Sequence, residues 1–206
     1  MFDKQITLSE KNDFTILEEM VSSDYGEHNI LIYPGKSTLR EIYSCYCKSS
    51  LEYNNSNCAS NEMILLIPSY ETVQGVKRTL EKKAGIDAEK YEKEGSLAII
   101  DSFEAYSRQS SNDSTYKIVS LLKLLIQQAE IFGKKGISII SDLGSFYQFQ
   151  QTEELIEHET SFAQKTSLKC KAFCGYRQDY FDTLTEYQKQ SLLSHHYKDL
   201  AVTTGS

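Results

Sequence analysis

Gly35-Lys36-Ser37-Thr38 is the first group of residues that invites a chemical reading; it follows the apolar run Asn29-Ile30-Leu31-Ile32-Tyr33 and Pro34. A glycine, a lysine and a hydroxyl residue in this order close a phosphate-binding loop, whose backbone N–H groups wrap the phosphates. Such a loop opens on a glycine five residues before the one that precedes the lysine. Ile30 stands at that position, inside an expected strand, so the connection is about four residues too short for the cradle. Lys36 and the start of the next helix would still attract an anion. A strand-to-helix turn with Ser37 or Thr38 as N-cap accounts for the same residues more simply. Asp101 and Asp142 each close an apolar run, Leu97–Ile100 and Ile137–Ser141. Aspartate there holds magnesium in phosphoryl-transfer enzymes, and it also caps turns at strand ends.

The remaining reactive residue types are less pointed. Glu157 and Glu159 flank His158 on an expected helix, where residues two apart face different sides and cannot act as an acid–base pair. A solvated helix face explains Glu157. His158 meets Phe162, not a second ligand, one turn on. Cys45 and Cys47, and Cys170 and Cys174, have neither zinc-ribbon nor redox-pair spacing and read as inert buried thiols. His195-His196 follows a helix and suits its negative end when protonated. No serine-hydrolase elbow is present. Tyr70, Tyr106, Tyr147, Tyr176 and Tyr180 fall at or just after expected strand ends, where rings line a pocket, fill the core or form an interface.

These residues are positioned by short continuous apolar runs alternating with helical patterns, which means a parallel sheet covered on both faces. Strands are expected at 29–33, 63–67, 97–100 and 137–141, with a last short one at 200–202. A further strand at 168–176, alternating in its first half, reads as exposed on one face and ending at Gly175. Helices are expected at 14–21, packing on the domain edge, and at 37–50, 71–83, 87–93, 115–133, 152–165 (Thr152 as N-cap) and 180–194. Polar stretches at 51–62 and 107–114 read as loops. In such folds ligands bind outside the carboxyl ends of the strands. Tyr33, Lys36, Asp101, Asp142 and Tyr176 would line that edge.

With 206 residues, the chain is expected to form one domain over 27–202, with an N-terminal extension at 1–26 and a tail at 203–206. A net charge of −7 argues against a direct grip on nucleic acid. No apolar stretch reaches the roughly 20 residues of a membrane span, and the N-terminus lacks a secretion signal, so the expected compartment is cytoplasmic. Five cysteines cannot all pair, and reduced thiols are expected.

Over residues 26–202 the chain resembles the MEDS family, the sensory domain of methanogen and methylotroph regulators. The carriers are His28-Asn-Ile-Leu-Ile-Tyr33, Gly95–Ser102 with Tyr106, Leu155-Ile156-Glu157-His158-Glu159, and Cys174-Gly175-Tyr176 with Phe181 and His195-His196. The resemblance implies a relative of the RecA and KaiC ATPases that keeps the parallel sheet and loses the phosphate loop, in agreement with the short connection at 34–38. It marks His28, Tyr33, Glu159, Cys174, Tyr176 and His195 or His196 as candidate ligand-binding positions. The expectation is therefore a three-layer α/β sandwich, mostly parallel, RecA/KaiC-like without an intact P-loop. It would act as a non-catalytic sensory module that binds a small ligand at the carboxyl edge and regulates a partner protein. Candidate ligand-binding residues are His28, Tyr33, Lys36, Ser37, Asp101, Asp142, Glu159, Cys174, Tyr176 and His195, with no catalytic residue, metal or cofactor. Two alternatives stand beside it. One is a RecA-like ATPase or kinase using ATP and magnesium through Lys36 and Asp142. The other is a pure interaction module, with a tyrosine-rich surface forming a homodimer or a complex.

Overall fold

Among the described residues, seven strands, all parallel, form one sheet: β1 (Glu10–Lys11), β2 (His28–Tyr33), β3 (Met63–Ile67), β4 (Leu97–Ile99), β5 (Ile137–Asp142), β6 (Cys170–Arg177) and β7 (Asp199–Val202), in the order β1-β7-β2-β6-β5-β3-β4. The computed structural model describes residues 10–11, 13–52, 61–107, 117–162 and 164–202. The expected loops at 51–62 and 107–114 and the tail at 203–206 lie largely outside these residues.

The helices are α1 (Asp13–Ser22), α2 (Lys36–Glu52), α3 (Val73–Ala84), α4 (Ala88–Lys93), α5 (Ser102–Ala105), α6 (Lys117–Ile131), α7 (Gly144–Gln148), α8 (Thr152–Thr160), α9 (Gln178–Thr183) and α10 (Glu186–His195). They form two outer layers, and strand alternation assigns each side chain to one of them. Ile30, Ile32, Met63, Leu65, Ile67, Ile137 and Ile139 pack with Ile118, Leu122, Leu125, Leu155 and Leu192 on one face. Leu31, Tyr33, Ile64, Leu66, Ile140 and Phe173 pack with Ile16, Met20, Leu39, Ile42, Val76 and Leu80 on the other. The apolar runs are continuous because both faces are covered.

Local chemistry fixes several boundaries. Thr72 caps α3 by accepting from the Gly75 N–H, and Gly85 ends it in the left-handed region at φ 74°. Asp87 caps α4. The N-terminal segment is not a loose extension in its described part: β1 pairs with β7, and α1 buries Ile16 and Met20 in the second core.

Four expectations are corrected. The strand at 168–176 is β6, which is central and buried on both faces, because β2 and β5 flank it. It runs through Gly175, where a Cβ would lie 2.6 Å from the Ser141 carbonyl oxygen, so glycine permits the close strand pairing. The helix at 180–194 is two helices, because Thr185 and Gln188 form a capping box that restarts the chain as α10. Thr152 is the first residue of α8 and does not cap it. Ser37 and Thr38 lie inside the first turn of α2, which starts at Lys36, so neither is its N-cap. Among the described residues, no helix is long and apolar enough to cross a membrane.

Candidate ligand site

The face of β6 that carries Cys170, Ala172, Cys174 and Tyr176 meets α8 and α10, and polar side chains from four elements converge there. β2 starts with His28, opposite Ala172 in the parallel register, so Cys174 stands one pleat further along the neighbouring strand. His28 Nε2 is 3.2 Å from Cys174 Sγ and 3.6 Å from Glu159 Oε2. Glu159 reaches in from α8 and is 1% exposed. His196, just past α10, places Nε2 3.0 Å from the same carboxylate oxygen. Its Nδ1–H donates to the Leu192 carbonyl at 2.7 Å, which fixes the ring so that Nε2 faces Glu159. The His28 and His196 rings lie tilted against each other with centroids 4.2 Å apart, and His158 Nε2 is 3.9 Å from Glu159 Oε1.

Burial alone would push the Glu159 carboxyl up. His196 and His28 outweigh it and hold the carboxyl well below the usual range, so it is an anion. Burial, aided by that carboxylate, raises the Cys174 thiol well above its ordinary value. Burial also lowers His158. A protonated, deeply buried thiol is not an activated nucleophile.

A cavity of about 60 Å³ opens on this cluster. His28, Glu159, His158 and Cys174 line one part, and Ile67, Ile118, Leu122, Ile139, Leu168, Ala172 and Phe162 most of the rest. Tyr106 lines both this cavity and a solvent-facing groove of about 240 Å³ walled by Phe103, Phe146 and Phe149.

The carboxyl edge of the sheet is arranged differently. Tyr33 and Asp142 end neighbouring parts of the sheet, and burial raises both, Asp142 to about 7. The Gly144 N–H donates to Asp142 Oδ1 at 3.0 Å. Lys36 Nζ lies 4.4 Å from the centre of the Tyr70 ring, and the Arg177 guanidinium packs on Tyr70 and Tyr180. Only Pro34 and Gly35 separate β2 from α2, so the connection supplies no backbone wrap for phosphates. The pocket here measures about 20 Å³.

The ten candidate residues thus divide. His28, Glu159 and Cys174 come together on the sheet face, with the buried Tyr176 hydroxyl near Glu159. Tyr33, Lys36 and Asp142 come together at the carboxyl edge, whereas Ser37 is exposed on α2. Asp101 caps α5 through the Phe103 N–H at 2.9 Å. His195 turns away and bonds the Ser191 carbonyl at 2.8 Å, so His196 is the histidine of this pair in the cluster. Sequence reasoning passed over His158, Arg177 and the apolar wall from α6. The Leu155-Ile156-Glu157-His158-Glu159 string carries the only signal for His158.

A parallel sheet covered by helices on both faces, with only two residues where a phosphate loop would stand, is a three-layer α/β sandwich without a phosphate loop. One solved structure with this fold is a KaiC-like protein of the hyperthermophilic archaeon Pyrococcus horikoshii OT3, with a TM-score of 0.54 and 16% identity over 88% of this chain and 75% of that one. The profile of the methanogen/methylotroph DcmR sensory domain, MEDS, matches residues 27–196. The chain belongs to the MEDS family. Comparison with curated proteins yields no match.

Proposed function

We propose that this chain is a non-catalytic sensory module that binds a small, largely apolar molecule in the cavity between β6, α6 and α8 and regulates a partner protein. Membership of a sensory-domain family supports the general role. The observation that carries the finer reading is the cavity itself: about 60 Å³, walled largely by apolar side chains, with polar groups that include His28, His158, Glu159 and Cys174. That volume accommodates a molecule of about five heavy atoms or fewer, at roughly 10–15 Å³ for each water-sized group. Apolar walls with a few convergent polar groups are the usual make-up of a small-molecule site. The proposed site lies on the sheet face; the pocket beside Lys36 and Asp142 is a third of that size. Occupancy would bear on α8, and through Glu159 and His196 on the end of α10. Exposed Phe103 and Phe149, in contact at 5.1 Å, offer the partner an apolar footing beside the groove.

Xenon is the first probe, because it enters apolar cavities of this kind. Xenon pressure should shift the amide signals of Ala172 and Leu122 in wild type, and the shifts should vanish in Ala172→Leu, which fills the cavity. Short alcohols, thiols and alkyl halides should then be scored by saturable gains in Tm. A folded wild-type protein whose spectrum ignores xenon would refute the cavity reading.

A further inference from the structure

We infer that His28, Glu159, Cys174 and His196 form a binding site for a single divalent ion of the zinc class. Their ligand atoms all lie within 4.8 Å of one another, and all four residues are buried. A tetrahedral zinc ion bound at about 2.0–2.3 Å places its ligand atoms about 3.3–3.6 Å apart. Three pairs lie within a few tenths of an ångström of that spacing: 3.0 Å for His196 Nε2 to Glu159, 3.2 Å for His28 Nε2 to Cys174 and 3.6 Å for His28 Nε2 to Glu159. Small rotations of the longer pairs complete the shell. Two imidazoles, a thiolate and a carboxylate together suit a borderline ion such as Zn²⁺ and not the hard, oxygen-seeking Mg²⁺ or Ca²⁺. The bond from His196 Nδ1–H to the Leu192 carbonyl is the orienting contact expected behind a ligating histidine, and it leaves Nε2 to bind.

The site draws on β2, β6, α8 and the end of α10, so an ion would tie the outer helices to the centre of the sheet. Metal binding to such a site adds directly to folding stability. The inference does not depend on the cavity reading: a chain that binds the ion and ignores xenon keeps the site and loses only the small-molecule proposal.

Cobalt(II) is the probe. The full chain, stripped with a chelator under reducing conditions, is titrated with Co²⁺ and then with Zn²⁺. One ion per chain should bind, with intense tetrahedral d–d bands in the visible and a thiolate-to-cobalt charge-transfer band in the near ultraviolet, and Zn²⁺ should abolish both. Cys174→Ser should lose the charge-transfer band. His196→Gln should weaken binding by more than about tenfold. His195→Ala, one residue away and turned out of the cluster, should leave the spectrum unchanged. Far-UV circular dichroism establishes that each variant is folded. A folded wild type without these bands, or a charge-transfer band that survives Cys174→Ser, overturns the site.

Discussion

Replacing Asp142 with asparagine should stabilise the protein at neutral pH and remove a slope from its stability curve. The carboxyl ends β5 and is 4% exposed. Burial dominates its surroundings and raises its pKa from 3.8 to about 7, against the opposing pull of the Gly144 N–H, Tyr33 and Arg177. Between those two values the folded chain holds a proton that the unfolded chain releases. The stability contribution is therefore complete below about pH 4 and is lost as pH rises through about 7. A shift of about three units corresponds to about 4 kcal/mol. About 3 kcal/mol of this falls between pH 5 and pH 8. Asparagine keeps an oxygen for the Gly144 N–H and never ionises. Urea unfolding of both proteins at pH 5, 6, 7 and 8 is the assay, and the other titrating groups are common to the pair. The gap in favour of Asp142→Asn should widen by about 3 kcal/mol over that range. A constant gap, or one that narrows with pH, would refute the argument.

Two further perturbations probe the frame around the site. Lys171, buried on the other face of β6, places Nζ 3.6 Å from Glu62 and 3.3 and 3.2 Å from the Met20 and Val21 carbonyls. Lys171→Met should cost about 3–5 kcal/mol in urea unfolding, because the buried Glu62 carboxyl loses its ion-pair partner, and adding Glu62→Gln should recover most of it; a cost below about 1 kcal/mol would contradict this. Gly175→Ala should cost about 1–3 kcal/mol, because its Cβ would meet the Ser141 backbone oxygen at 2.6 Å and neither strand can yield. Gly35→Ala, with nothing within 4 Å of the added carbon, should change stability by less than about 0.5 kcal/mol.

Much of the frame was legible along the chain, because its signals are local. The runs 29–33, 63–67, 97–100 and 137–141 correspond to β2, β3, β4 and β5, since a strand buried on both faces must be apolar throughout. Gly85 ended α3, and the two-residue link at Pro34-Gly35 already argued against a phosphate cradle. The split between α9 and α10 was also written in Thr185 and Gln188, but an apolar periodicity running across both helices hid it. Helices α5 and α7 and strand β1 were missed because four or five helical residues, or two extended ones, carry almost no pattern of their own.

The site divides along the same line. The residue types at His28, Glu159, Cys174 and the His195-His196 pair were visible as motifs, and the family resemblance drew attention to them. Their meeting was not visible. His28 and Cys174 are 146 residues apart, and they touch because β6 inserts between β2 and β5, a pairing decided by packing across the whole sheet. That insertion also buries both faces of a segment whose alternation suggests one exposed face. Adjacent residues at the end of a helix point about 100° apart, so one histidine of the pair must face inward; the docking of α10 selects His196. Sequence determines which residues share a face of their own element, because that follows from a fixed local period. Only tertiary structure decides which faces meet, because that choice belongs to the packing of the whole chain.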